Sequence, residues 1–251
     1  MKIYLINLTR RPDRLAKMDS ALKALGLPYT RVEAVDGATA DMGQPVSNKL
    51  PATGYACYLS HLKAYRAFLE TPDSHCVILE DDVALSPRLP EALSASDLHT
   101  DKNAILRLEA PTNVHWRKPS YSLPLAVASQ NGLASYKLLT KSYGTGAFVI
   151  SREVAEDILA HQAQPTLHID VRLFHQQYED HLGFNILQIN PALAIQRQYS
   201  EGVKDSDIMH TPPERSGKHP MQKNIEANLQ RIFRILARPF GFIRRFPFAE
   251  K

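Results

Sequence analysis

Apolar and polar positions along the chain fall into short blocks with two alternating periods. Lys2–Leu8 (KIYLINL) is nearly unbroken apolar sequence, as expected of a strand buried on both faces. Leu15, Met18, Leu22 and Leu25 then recur at helical spacing. Pro12 suits the first helical turn, and Gly26 ends the helix. Thr30–Asp36 predicts a second strand. Gly54–Glu70 predicts a helix with Tyr58, Leu62, Tyr65 and Leu69 on one face. Cys76–Glu80 and Ala104–Glu109 predict two more strands. Gly146–Ser151 predicts another, followed by a helix over 152–161. Ile169–His181 reads as helical and Ile186–Asn190 as a late strand, while 111–143 has no clean period and predicts irregular chain. Strands alternating with helices predict an α/β fold, a mostly parallel sheet flanked by helices. Ligands of such sheets bind outside the carboxyl ends of the strands.

Length, charge and cysteines narrow the picture. The 251 residues fit one α/β domain over 1–210 and a tail over 211–251. No stretch reaches the length of a membrane-spanning helix, and the opening MKIYLINLTRR is expected to be a strand rather than a leader. The net charge is +4, but residues 211–251 hold nine Lys/Arg and three Asp/Glu, which leaves about −2 for the rest. Basicity confined to a tail argues against a nucleic-acid-binding surface. Two cysteines, Cys57 and Cys76, form neither a disulfide framework nor a metal motif and fit a reduced, cytoplasmic setting.

The most informative local pattern is VILEDDVAL, in which a buried-strand run ends in Glu80, Asp81 and Asp82. Two carboxylates about 4 Å apart repel by about 4 kcal/mol at intermediate dielectric, so three in a row need water or a cation. Carboxylates without Cys suit Mg²⁺ or Mn²⁺, and such an ion typically bridges a diphosphate. The alternative is a solvated strand end. Asn7, Arg10, Arg11 and Arg14 flank the first strand–helix junction, and arginines there suit a phosphate. Ordinary surface arginines are the alternative. In CYLSHLKAYR, Ser60 lies off the apolar stripe and His61 borders it, reading either as the lining of a sugar or nucleotide pocket or as a satisfied core edge. Arg107 and Glu109, two apart, share a strand face, either as a buried pair or with Arg107 toward the donor. Asp170 sits at a helix start, as an N-cap or as a general base.

In the tail, Leu229, Ile232, Phe233, Leu236 and Phe240 fall on one helical face and Arg231, Arg234 and Arg238 on the other. Arg244 and Arg245 follow between aromatics. This is the pattern of an interfacial helix on an anionic membrane, or else of a docked helix with exposed arginines.

Taken in order, INLTRRPDR, VEAVDG, CYLSHLKAYR, VILEDDV, ILRLE, GTGAFVIS, LHIDVRLF and QINPALAIQ resemble glycosyltransferase family 25, the lipooligosaccharide and lipopolysaccharide galactosyltransferases. The resemblance covers about residues 2–198. It implies a GT-A-like (Rossmann-like) fold, a UDP-sugar donor, a divalent metal (Mn²⁺ or Mg²⁺) and inversion at the anomeric carbon. By position it implies metal ligation by Asp82, with Asp81 and Glu80. It places Asn7, Arg10, Arg14, Asp36, Ser60 and His61 around the nucleotide, and makes Asp170 a reasonable base. The expected function is hexose transfer, with galactose the expected sugar, from a UDP-hexose to the lipooligosaccharide or lipopolysaccharide core at the inner membrane. The chain would attach there peripherally from the cytoplasm. UDP-glucose as donor, a nucleotide-sugar hydrolase or nucleotidyltransferase, and a non-enzymatic membrane protein on the same fold are the rivals.

Overall fold

The computed structural model describes residues 1–39, 50–99, 101–110, 120–161, 167–175, 183–202, 243–244 and 246–249. In chain order the elements are β1 (Lys2–Asn7), α1 (Pro12–Ala24), β2 (Thr30–Glu33), α2 (Ala52–Leu69), β3 (His75–Glu80), β4 (Val83–Leu85), α3 (Leu89–Ser94), a 3₁₀ turn (Ser96–His99), β5 (Ala104–Arg107), β6 (Ser120–Tyr121), β7 (Ala128–Gln130), β8 (Leu133–Lys137), β9 (Ala147–Ser151), α4 (Arg152–Ala160), α5 (Ile169–Phe174), β10 (Asn185–Asn190), β11 (Ala194–Gln196), α6 (Arg197–Ser200) and β12 (Ile243–Arg244).

Eight strands form one sheet in the order β2-β1-β3-β9-β5-β10-β8-β7. All run in one direction except β9 and β8. The alternation of side chains along each strand divides the core into two layers. On one face, Tyr4, Ile6, Ile78, Phe148 and Ile150 pack under α2, α4 and α5. On the other, Ile3, Leu5, Val77, Leu79 and Val149 pack against Met18 and Leu22 of α1 and Leu89 and Ala92 of α3. The expected architecture, a mostly parallel sheet flanked by helices, is the one observed. No helix among the described residues is long and apolar enough to cross a membrane.

Phe148 lies near the centre of this arrangement, with no exposure, stacked 5.9 Å from the His61 ring and edge-on to Phe174 at 6.2 Å. Phe148→Ala is expected to cost about 3–5 kcal/mol by urea unfolding, because neither neighbour can collapse into the void without leaving its own partners. A loss below about 1 kcal/mol would show that the layer repacks freely.

The irregular reading of 111–143 is corrected. Residues 111–119 lie outside the described residues, but β7 and β8 form a hairpin over 128–137 at the sheet edge. Its turn is Asn131-Gly132, both with positive φ (53° and 74°), the pair that a two-residue hairpin turn favours. The second strand stops at Glu33 and the fourth at Arg107, shorter than expected. The helix from Ile169 ends at Phe174, with His175 already non-helical, and 176–182 lie outside the described residues.

The division at residue 210 and the tail residues Arg231, Phe233, Arg234, Arg238 and Arg245 lie outside the described residues. Arg244 is placed only as backbone, in β12, which pairs antiparallel with β6. Just beyond it, Phe246 (7% exposed) joins the layer under α2, and Ala249 joins the opposite one. The Ala192 backbone N–H donates to Pro247 O at 2.7 Å, and Ala249 N–H donates to Ala192 O at 2.8 Å.

Candidate active site

The sheet's direction gathers the chemistry at one edge. β1, β2, β3 and β5 end there, and the antiparallel β9 begins there. A cleft open to solvent lies above the ends of β1–β3. Its lining includes Arg10, Arg14, Asp36, Gly37, Thr53, Cys57, Ser60, His61, Glu80, Asp81 and Asp82. The start of α2 forms one wall. There the Asp36–Ala38 turn approaches so closely that a Cβ on Gly37 would sit 2.8 Å from Thr53 Cα. Ser60 fixes this junction, accepting from Val35 N–H (2.9 Å) and donating to Ala56 O (2.7 Å).

The three carboxylates at the end of β3 have different surroundings. Asp81 is buried, with one oxygen on Asn7 Nδ2 (2.7 Å) and the other on Arg14 (3.0 Å). Burial still raises its pKa, against those two partners. Glu80 Oε1 accepts from Thr145 Oγ1 (2.6 Å) and pairs with His61 Nε2 (2.9 Å). Burial works to raise the Glu80 pKa, but these bonds and the Arg14 charge together hold it below the usual value. Asp82 has only the Arg14 charge and a backbone hydrogen bond in its favour, and they do not suffice. Its Oδ1 is buried without a hydrogen-bond partner, and burial plus the Glu80 charge push its pKa up to about 7.

This asymmetry tests the fit of a divalent cation. An orphaned carboxylate oxygen facing an ionised neighbour is what such an ion would satisfy, and binding would displace the proton that Asp82 otherwise holds. Asp82 Oδ1 is the carboxylate oxygen left for such an ion, whereas the Asp81 oxygens are already engaged. Cys57 also puts its sulfur within 4.8 Å of the ligand atoms of His61 and Glu80, so a softer ion would find a second donor set there. Sequence reasoning missed Cys57, although it lies one helical turn before His61 on α2.

The basic residues at the start of α1 have acid partners from their own chain. Arg10 pairs with Asp36 at 2.7 Å near the surface, Arg11 with Asp13 at 3.0 Å, and Arg14 with Asp81 in the interior. An exposed pair such as Arg10–Asp36 contributes about 0–1 kcal/mol and opens readily to an incoming phosphate. The buried Arg14–Asp81 pair is a fixed charge behind the cleft.

Arg107 and Asp170 lie outside the cleft lining. Arg107 is 1% exposed, with its guanidinium on Gly144 O (2.7 Å) and Tyr143 O (2.8 Å), over the Phe174 ring, and 3.8 Å from Glu109. Asp170 accepts from Val171 N–H (2.7 Å) and from Gly144 N–H (3.1 Å). Both bond to the same loop, Tyr143–Gly146. Thr145, whose hydroxyl meets Glu80, was also missed by sequence reasoning; its only signal was its place between two glycines.

Comparison with known proteins places the chain in a family. The family model described as glycosyltransferase family 25 (LPS biosynthesis protein) matches residues 1–173. The lacto-N-neotetraose biosynthesis glycosyltransferase LgtB of Neisseria gonorrhoeae is 25% identical over 224 residues, spanning 82% of this chain and 78% of its own length. The lipooligosaccharide biosynthesis protein lic2B of Haemophilus influenzae is 25% identical over 221 residues, 80% of this chain and 79% of its own. Among solved structures, an active-site mutant of LgtC aligns at a TM-score of 0.40 and 14% identity, covering 85% of this chain and 81% of that one. The match over 1–173 contains the cleft, its acidic strand end and the loop behind it, and the chain belongs to glycosyltransferase family 25.

Proposed function

We propose that the chain is an inverting, metal-dependent hexosyltransferase that moves galactose from UDP-galactose to a lipooligosaccharide or lipopolysaccharide core. The observation that carries this reading is the orphaned, raised Asp82 carboxylate beside ionised Glu80, inside a cleft walled by Arg10, Asp36 and the start of α2. The relatives named for lacto-N-neotetraose and lipooligosaccharide biosynthesis support the acceptor class.

The mechanism follows from the placement of the chain's own groups. Asp82 and Glu80 would hold the divalent ion, Mn²⁺ or Mg²⁺, with Asp81 behind them fixing the strand end through Asn7 and Arg14. When bound, the ion neutralises charge growing on the leaving diphosphate. Arg10 releases Asp36 and takes a phosphate oxygen, leaving the Asp36 carboxylate to accept from the nucleotide. Ser60 and His61 hold the cleft wall in register. Asp170 takes the proton of the acceptor hydroxyl as that oxygen attacks the anomeric carbon opposite the departing UDP.

The chain is incubated with UDP-galactose or UDP-glucose, Mn²⁺ and truncated lipooligosaccharide, and acceptor mass is followed. A gain of one hexose from UDP-galactose, lost with chelator, is expected. Gain only from UDP-glucose would reassign the sugar, and UDP release without gain would favour a hydrolase.

The basic tail supplies the membrane attachment in this reading, at the cytoplasmic face of the inner membrane. Because Phe246 and Ala249 pack into the core, truncation would damage the domain as well as the tail. The better test is joint replacement of Arg231, Arg234 and Arg238 by Gln. At about 1 kcal/mol per charge, affinity for anionic liposomes should fall about 100-fold, with transfer to a soluble acceptor unchanged. Undiminished sedimentation would remove the tail from that role.

A further inference from the structure

Three ionisable side chains from two segments, the end of β5 and the start of α5, converge on one short stretch of backbone. Arg107, at the end of β5, donates to the carbonyls of Tyr143 and Gly144. Glu109, just beyond β5 and with no exposure, accepts from Gly146 N–H at 2.9 Å. Asp170, at the start of α5, accepts from Gly144 N–H. The loop is built for this closeness. A Cβ on Gly144 would sit 2.8 Å from Glu109 Oε1, and one on Gly146 would sit 2.7 Å from Val83 Cγ1. Gly144 also has φ +83°, a conformation that side chains resist. Thr145, between them, turns its hydroxyl the other way, onto Glu80 at 2.6 Å.

A buried arginine and glutamate are costly to keep, and a pure packing role would be met by apolar residues of the same volume. Here they hold backbone groups that no strand or helix partner reaches. The segment they hold joins the acidic end of β3, through Thr145 and Glu80, to Asp170, through the Gly144 amide.

We propose that Arg107, Glu109 and Thr145 are positioning residues. Arg107 and Glu109 clamp the Tyr143–Gly146 loop, so that its Thr145 hydroxyl orients Glu80 and its Gly144 amide orients Asp170. The inference rests on the reading that Glu80 and Asp170 serve the transfer reaction. It adds the device that keeps the cation-binding side and the proton-accepting side of the site in fixed relation. Groups that orient a ligand from behind typically change metal affinity or activity by about 10–100-fold when removed.

Two measurements test it. Amide hydrogen exchange at Gly144 and Gly146 reads the clamp with no substrate or metal present. Both amides should exchange at least about 100-fold slower than in an unstructured peptide, faster in Glu109→Ala, and slowly again in Glu109→Gln, whose amide oxygen still accepts from Gly146. Mn²⁺ titration followed by electron paramagnetic resonance, together with donor kinetics, reads the orientation of Glu80. Thr145→Val should weaken Mn²⁺ binding and lower kcat by about 10–100-fold with little change in donor KM, and Thr145→Ser should restore both.

Fast exchange at both glycines in the unaltered chain overturns the proposal. So does Thr145→Val with unchanged Mn²⁺ affinity and unchanged kcat. If Glu109→Ala does not fold, Glu109→Gln and the Thr145 pair still decide. Slow exchange and a Thr145-dependent Mn²⁺ affinity without any sugar transfer would keep the clamp and defeat the transferase reading instead.

Discussion

Asp82→Asn is expected to lower sugar transfer by at least about 10²–10³-fold while the chain keeps its fold, the loss typical when a group stabilising transition-state charge is removed. The argument is local. Asp82 Oδ1 has no hydrogen-bond partner, while Asp81 is fully engaged and Glu80 is oriented by two donors. Removing the Asp82 charge therefore removes the carboxylate with most to give a cation and least structural work of its own. The same substitution has a second signature. In chelator, Asp82 holds its proton in the folded chain up to about pH 7, whereas the unfolded chain releases it near the ordinary carboxylate value of 3.8. Between those values the native state binds more protons, so stability falls as pH rises, and this fall should be missing in the variant. Urea midpoints at pH 5 and pH 8 without metal measure it. Equal transfer at saturating Mn²⁺ would show that Asp82 does not serve the reaction.

The second large effect is expected at Asp170. Replacing a general base typically costs about 10²–10⁴-fold in rate, so Asp170→Asn should lower kcat by that much with donor KM nearly constant. Both carboxylate oxygens already accept from backbone amides, which fixes the group's orientation. The Asn side chain would present an N–H to one of those amides, so Mn²⁺ affinity is measured alongside to detect any disturbance of the Tyr143–Gly146 loop. A kcat within a factor of about three of the unaltered chain would place the base elsewhere, since acid–base catalysis is worth far more than that.

The fold was legible wherever burial imposed a clean period. β1, α1, α2, β3, β9, α4 and β10 were read within a residue or two, because each commits a long apolar run or a helical stripe to one of the two core layers. β4 and β11 were not legible. Val83–Leu85 and Ala194–Gln196 are three residues each and owe their form to one another across the chain, a pairing that no local pattern encodes. The β7–β8 hairpin carried an Asn-Gly signal that was present and passed over, hidden by short, half-exposed strands.

The site divides in the same way. The acidic cluster could be found because charge at the end of a buried strand is locally anomalous. The partnership of Arg14 with Asp81 could not, since it joins residues 67 apart in sequence. The positive first turn of α1 did imply an anion, as the helix dipole argues, and one such anion is the Asp81 carboxylate of the chain itself. The strand stops at Arg107, so Glu109 lies beyond it, yet both hold the Tyr143–Gly146 loop, and only the path of that loop shows it.

Strand β12 pairs with β6, and Phe246 and Ala249 enter opposite layers of the core. The last described residues therefore cover both faces of the sheet instead of trailing from it. A chain cut before Ile243 loses apolar cover on both sides at once, and its urea midpoint should fall accordingly.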